Sequence, residues 1–204
     1  FNGRVYEHYF PIDDKFRVTR KWSERPGDFF FYGTLHNLKF SYEFCQKIEN
    51  ITEPLKVDVY GKWMNGTPRF GNIDYEDYKQ KIEKNKYLKY GGRIPDEKLI
   101  ETINNYKFFV MPHDGAEPFC LALAESIRCG CIPLVVNNRR TGAGNWIDWA
   151  KDCIIEYDNV DKLLEKMQWF VANRGNNSLI KTLQQRSDEN CLLYTSDAAD
   201  DMQC

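Results

Sequence analysis

Short apolar runs closed by turn residues alternate with segments of helical period along most of this chain. The first such run is Asp28-Phe29-Phe30-Phe31-Tyr32-Gly33, and further runs occupy 55–61, 87–91, 107–111, 132–136 and 152–157. Between them, Tyr42, Phe44, Cys45 and Ile48 recur at helical spacing within 41–50. Residues 74–85 open on Asp74, a capping residue type. Stretches 96–106, 119–129 and 160–171 also predict helices, with Pro118 at the favoured first position of the second of these. Continuous apolar strands alternating with helices predict an α/β fold, a doubly wound parallel sheet of about six strands with helices on both faces. In open sheets of this kind the ligand lies outside the carboxyl ends of the strands. The loops at 33–40, 91–96, 112–118 and 137–145 are therefore expected to face one crevice.

Composition narrows the partners. Lys and Arg number 28 against 30 Asp and Glu, a net charge of −2, so there is no basic excess for nucleic acid. No apolar run reaches the roughly 18 residues of a membrane span. The seven cysteines are odd in number and irregular in spacing, and Cys129-Gly130-Cys131 is not a redox or zinc pair. Free thiols in apolar runs behave as small hydrophobes, so a reducing, cytoplasmic setting is expected. The three histidines have no close acid spacing, and no metal site is expected.

Organisation follows from the pattern. Residues 1–26 lack a period and read as a linker or the remnant of a preceding domain. Residues 27–174 form the ligand-binding domain, and 175–190 a C-terminal helix. The last stretch, 191–204, resembles translated sequencing adapter and reads as a non-native tail. The chain opens Phe1-Asn2-Gly3 without a Met, so the natural start is expected to lie upstream.

The densest chemistry lies at Glu117-Pro118-Phe119-Cys120-Leu121-Ala122-Leu123-Ala124-Glu125, followed by Gly130-Cys131-Ile132-Pro133-Leu134-Val135. Two carboxylates eight residues apart on a helix stand about 12 Å from each other. The helix start between them offers free N–H groups that suit a diphosphate. With the lead-in Phe109-Val110-Met111-Pro112-His113-Asp114-Gly115-Ala116 and the earlier Gly92-Arg93-Ile94-Pro95-Asp96, this pattern resembles the C-terminal, donor-binding half of GT-B glycosyltransferases. It is most similar to the retaining family 4 (group 1) type, whose signature is a Glu, seven residues and a second Glu. The resemblance covers roughly residues 29–167 and implies a Rossmann-like domain that forms one half of a GT-B fold.

That resemblance implies roles. Glu117 is the expected catalytic residue: it would face the transferred sugar and support developing oxocarbenium charge. Glu125 would bind the ribose hydroxyls, with an exposed acid, or one paired with Arg128, as the plainer alternative. Backbone amides of Phe119, Cys120 and Leu121 would meet the diphosphate. Gly33-Thr34-Leu35 matches the family's Gly-Arg-Leu loop, with Thr34 in place of the Arg, and Lys39 falls on a Lys that would neutralise the leaving diphosphate. Arg93 could supply the missing charge, or Arg93 and Ile94 could meet the base through their backbone. His113 stands where the family often has Ser, and Gly115 belongs to the same donor loop. Implied overall is transfer of a hexose from a nucleoside-diphosphate sugar to a hydroxyl acceptor, with no cofactor. This chain would be the donor half and would turn over little alone.

Three other readings compete. A nucleotide-sugar epimerase would share the crevice but is expected to carry more His and acid residues. A non-catalytic nucleotide-sugar-binding module would explain Thr34. An unrelated dinucleotide-binding domain finds no support, since Gly142-Ala143-Gly144 lacks a third glycine and does not follow a strand closely.

Overall fold

Each apolar run from 27 to 136 becomes a strand. The computed structural model describes residues 12–37, 39–53, 55–64, 73–112, 120–136 and 160–173, with 178, 181, 182 and 185. Strands β1 (Gly27–Leu35), β2 (Val57–Trp63), β3 (Leu88–Tyr90), β4 (Tyr106–Met111) and β5 (Ile132–Val135) form one sheet in the order β3-β2-β1-β4-β5. All neighbours are parallel, in register Phe31 with Val59, Phe29 with Phe108 and Val110 with Leu134. The expected sixth strand at 152–157 lies outside the described residues.

The helices are α1 (Tyr42–Lys47), α2 (Tyr75–Glu83), α3 (Leu99–Ile103), α4 (Leu121–Arg128) and α5 (Val160–Ala172). Side chains start two of them, at Asp74 as the sequence predicts and at Ser41, which sequence reasoning did not single out. Asp74 accepts from the Asp77 amide at α2, and Ser41 accepts from the Phe44 amide at α1. α3 is shorter than expected, because a 3-10 turn over Asp96–Lys98 follows Pro95. α4 begins at Leu121 after an extended Cys120, two residues later than predicted, so Pro118 is not its first residue. Its end is a Schellman motif, with Gly130 at φ 77°. The Gly130 amide reaches the Ile127 carbonyl and the Cys131 amide reaches Ser126.

The two faces of β1 explain the layers. Phe31 packs on Phe40, which packs on Phe44 of α1, and the neighbouring Phe108 packs on Phe170 of α5, so α1 and α5 share one face. α5 buries Val160, Leu163, Leu164, Met167 and Phe170, a 3.6-residue stripe. On the other face Phe30 and Tyr32 stack in parallel, and Tyr32 reaches α4. Each fully buried phenylalanine contributes about 2–3 kcal/mol.

The segment before β1 is tied down although it has no period. Phe16 is buried, Asn104 donates to the Arg17 carbonyl and accepts from the Thr19 amide, and Trp22 donates to the Lys107 carbonyl. Among the described residues no helix is long and apolar enough to cross a membrane. Residues 178, 181, 182 and 185 are helical; the rest of the expected 175–190 helix, and the 191–204 tail, lie outside the described residues.

Candidate functional site

The strand order fixes where a ligand can enter. The chain runs outward from β1 to β2 to β3, then returns to lay β4 on the opposite side of β1. The connections after β1 and β4 therefore diverge, and a crevice opens at their carboxyl ends. The Ser41 amide donates to the Pro112 carbonyl at 2.9 Å, which ties these two connections together.

Gly33 and Thr34 reach this crevice from the strand, not from a loop, because β1 continues to Leu35. Gly33 pairs with Gly61 of β2. A Cβ on Gly61 would run into the Gly33 carbonyl oxygen, so the strand ends approach closely only because a glycine stands there. The turn after Leu35 is closed by the Lys39 and Phe40 amides on the His36 carbonyl, both at 3.0 Å. It sets half-buried Lys39 beside the end of β1.

Arg93 and Ile94 follow β3, two strands from β1. Strands lie about 4.8 Å apart, so Arg93 is displaced about 10 Å along the sheet from Thr34. Its side chain is 72% exposed and pairs with Asp96 at 3.3 Å. It does not fill the place of the missing arginine.

α4 brings Cys120, Leu121 and Glu125 to the opening between β1 and β4. Cys120 caps the helix without a side-chain hydrogen bond, which leaves the first-turn amides to backbone, water or ligand partners. Its thiol is buried, while Leu121 is 51% exposed. Glu125, one turn further on, is half-buried and accepts a hydrogen bond from the Tyr32 hydroxyl. Burial raises the Glu125 carboxyl above its ordinary value, and the Tyr32 bond partly offsets that. Burial and the adjacent carboxylate push the Tyr32 phenol far up. Arg128 is not the partner of Glu125: it donates to the Ile12 carbonyl and pairs with Asp14.

Sequence reasoning missed Tyr32. The signal was present, since Phe30 and Tyr32 alternate onto the face that α4 covers, but pairing a strand residue with a helix residue 93 positions away requires the register. Glu117, His113, Gly115 and Phe119 lie outside the described residues. No group of His, Cys, Asp or Glu suited to a metal occurs among the described residues.

A strand-order switch with a half-buried acid on the helix beside it is the arrangement of an open, doubly wound α/β domain. The family model for glycosyl transferases group 1 matches residues 13–190, and the chain belongs to that family. Among solved structures, HepE from Anabaena, in complex with UDP and glucose, superposes with a TM-score of 0.67 at 12% identity, covering 95% of this chain and 55% of that one. The catalytic domain of cholesterol-alpha-glucosyltransferase from Helicobacter pylori gives 0.60 at 16% identity, covering 81% of this chain and 98% of that one. Sucrose-phosphate synthase from Thermosynechococcus elongatus gives 0.63 at 14%, covering 88% and 46%. The chain thus spans about half the length of HepE. No curated protein sequence matches it significantly.

Proposed function

We propose that this chain is the donor-binding half of a glycosyltransferase that moves a hexose from a nucleoside-diphosphate sugar to a hydroxyl acceptor with retention. The observation that carries the reading is Glu125, half-buried at the switch-point crevice and hydrogen-bonded by Tyr32 in a chain of the group 1 family. Partial burial strengthens its bonds to ribose hydroxyls, since an ionised acceptor in a low-dielectric site binds donors well. The first-turn amides of α4, with Lys39 across the crevice, would hold the diphosphate. Glu117, four residues before the start of α4, would support the sugar as positive charge develops. No cofactor or metal is called for, because helix amides and Lys39 supply the electrophilic contacts. Turnover would require an acceptor-binding half as well. The similar structure of HepE, solved in complex with UDP and with UDP-glucose, supports the donor class.

Calorimetry with uridine, guanosine and adenosine diphosphates tests this. One of them is expected to bind, and Glu125→Ala is expected to weaken it about 30-fold with the fold intact, as loss of charged hydrogen bonds implies. Undiminished affinity in that variant would refute the assignment. Thr34 favours a second reading, a nucleotide-sugar-binding module without catalysis. Assaying product release by a protein that includes both halves, with several donors, separates the two.

A further inference from the structure

We propose that Tyr32 is a positioning residue for donor binding: its hydroxyl, held in place by aromatic packing across the strand-order switch, fixes the orientation of the Glu125 carboxylate. This rests on the reading of Glu125 as a nucleotide ligand.

The argument starts from the ring. Tyr32 stacks on Phe30 of its own strand at 6.0 Å between centroids and 8° between planes. It meets Phe109 of β4 edge-on at 5.9 Å and 79°. Its ring is therefore wedged by residues from both strands that flank the crevice. A tyrosine has few rotamers, and this one is left little freedom. Its hydroxyl donates to Glu125 Oε2. The carboxylate, by contrast, sits on a rotamer-rich side chain whose freedom must be lost when it grips a ligand. A fixed donor removes much of that freedom in advance, which is how preorganisation raises affinity. One carboxylate oxygen is thereby engaged by Tyr32, and Oε1 would be the one to accept from the ligand.

Burial keeps Tyr32 protonated, so it donates at any working pH. The other charged groups that act on Glu125 are Lys15, which lowers its carboxyl, and Asp13, which raises it, both in the segment before β1. Cys120 and Cys129 act on Tyr32 from the two ends of α4. Removing the phenol hydroxyl takes away a bond that favours the ionised acid, so the acid limb of binding moves to higher pH.

The test is calorimetric titration of the chain with the tightest of the three nucleoside diphosphates, from pH 5 to 8. It uses the wild type, Tyr32→Phe, Glu125→Ala and the double variant. Tyr32→Phe keeps the ring packing and is expected to weaken binding about three- to tenfold at neutral pH. Its acid limb should lie at higher pH than the wild type's. In the Glu125→Ala background the same change should cost nothing, because the tyrosine acts only through the acid. Equal losses in both backgrounds would mean that Tyr32 merely packs, and an unmoved affinity and acid limb would also overturn the proposal. If no diphosphate binds the wild type, or Glu125→Ala binds normally, the donor site itself fails, a result distinct from the other two. Thermal melts of each variant verify that the fold survives.

Discussion

The two ends of α4 are finished in opposite ways. At the carboxyl end every accessory device is present: a glycine in the left-handed region, the paired Schellman bonds, and a guanidinium on the Cys129 carbonyl. That guanidinium belongs to Arg25, which is only 2% exposed. It also donates to the carbonyls of Tyr106 at 2.8 Å and Arg20 at 3.3 Å, and to Cys131 Sγ at 3.4 Å. At the amino end Cys120 offers no side-chain cap, and Leu121 is exposed. Two charged side chains mark the contrast. Arg25 is saturated by backbone acceptors, whereas Glu125 receives a single hydrogen bond among the described residues. A charge buried with its hydrogen bonds complete holds a fold together; a charge half-buried with acceptor capacity to spare suits a ligand. The cation also complements the negative end of the helix dipole. The stabilising cap at Cys129 lies about 12 Å from the helix start and only one turn, about 6 Å, from Glu125.

The sharpest way to break this contrast is at Arg25. Arg25→Met keeps much of the side-chain volume but deprives three carbonyls of donors in a buried site. The expected loss is about 3 kcal/mol, since each unsatisfied buried group costs about 1–3 kcal/mol. Urea unfolding checks it, and the fraction that remains folded should bind nucleotide normally. An unchanged midpoint would show that water replaces the guanidinium and that the carboxyl end is not the stabilising one.

Gly130→Ala probes the same end more gently. At φ 77° an alanine is strained by about 1–2 kcal/mol. The unfolding midpoint should fall by a corresponding amount, with diphosphate affinity unaltered.

Glu125→Gln sharpens the other half of the comparison through pH. Burial raises the native carboxyl above its ordinary value of 4.5. The native state then binds a proton more tightly than the unfolded chain. Its stability relative to the Gln variant is greatest below that ordinary value and declines as pH rises through the window above it. Binding runs the other way, since the ionised acid accepts ribose hydroxyls. Unfolding at pH 4 and pH 7.5 should therefore show the Gln variant gaining on the wild type at the higher pH while losing affinity. A difference independent of pH would remove the case for a strained acid.

Much of this was legible before any coordinates. Five apolar runs became five parallel strands, and Asp74 capped α2, because period and capping chemistry are local. Strand ends were less legible: Gly33 looked like a terminator, yet the Gly33–Gly61 pairing carries β1 on to Leu35. Arg25 lay hidden in a stretch read as a linker, because its partners Tyr106, Cys129 and Cys131 are more than 80 positions away. The acid at 125 was singled out from sequence, and the tyrosine that bonds it was not, for the same reason. What sequence shows poorly here is the long-range polar contact, and α4 makes two, at Glu125 and at Cys129.

Arg93 offers the smallest effect and the cleanest control. Its pair with Asp96 is long and both partners are well exposed, at 72% and 86%. Such pairs contribute about 0–1 kcal/mol, weakened further by salt. Arg93→Ala should therefore leave the unfolding midpoint within about 0.5 kcal/mol of the wild type. Its effect on nucleotide affinity distinguishes the two roles open to this residue. A backbone contact from residues 93 and 94 survives the substitution, so affinity should persist and its salt dependence should not change. A side chain that reached the diphosphate would instead flatten that salt dependence when removed, and would require the guanidinium to cross two strands of the sheet.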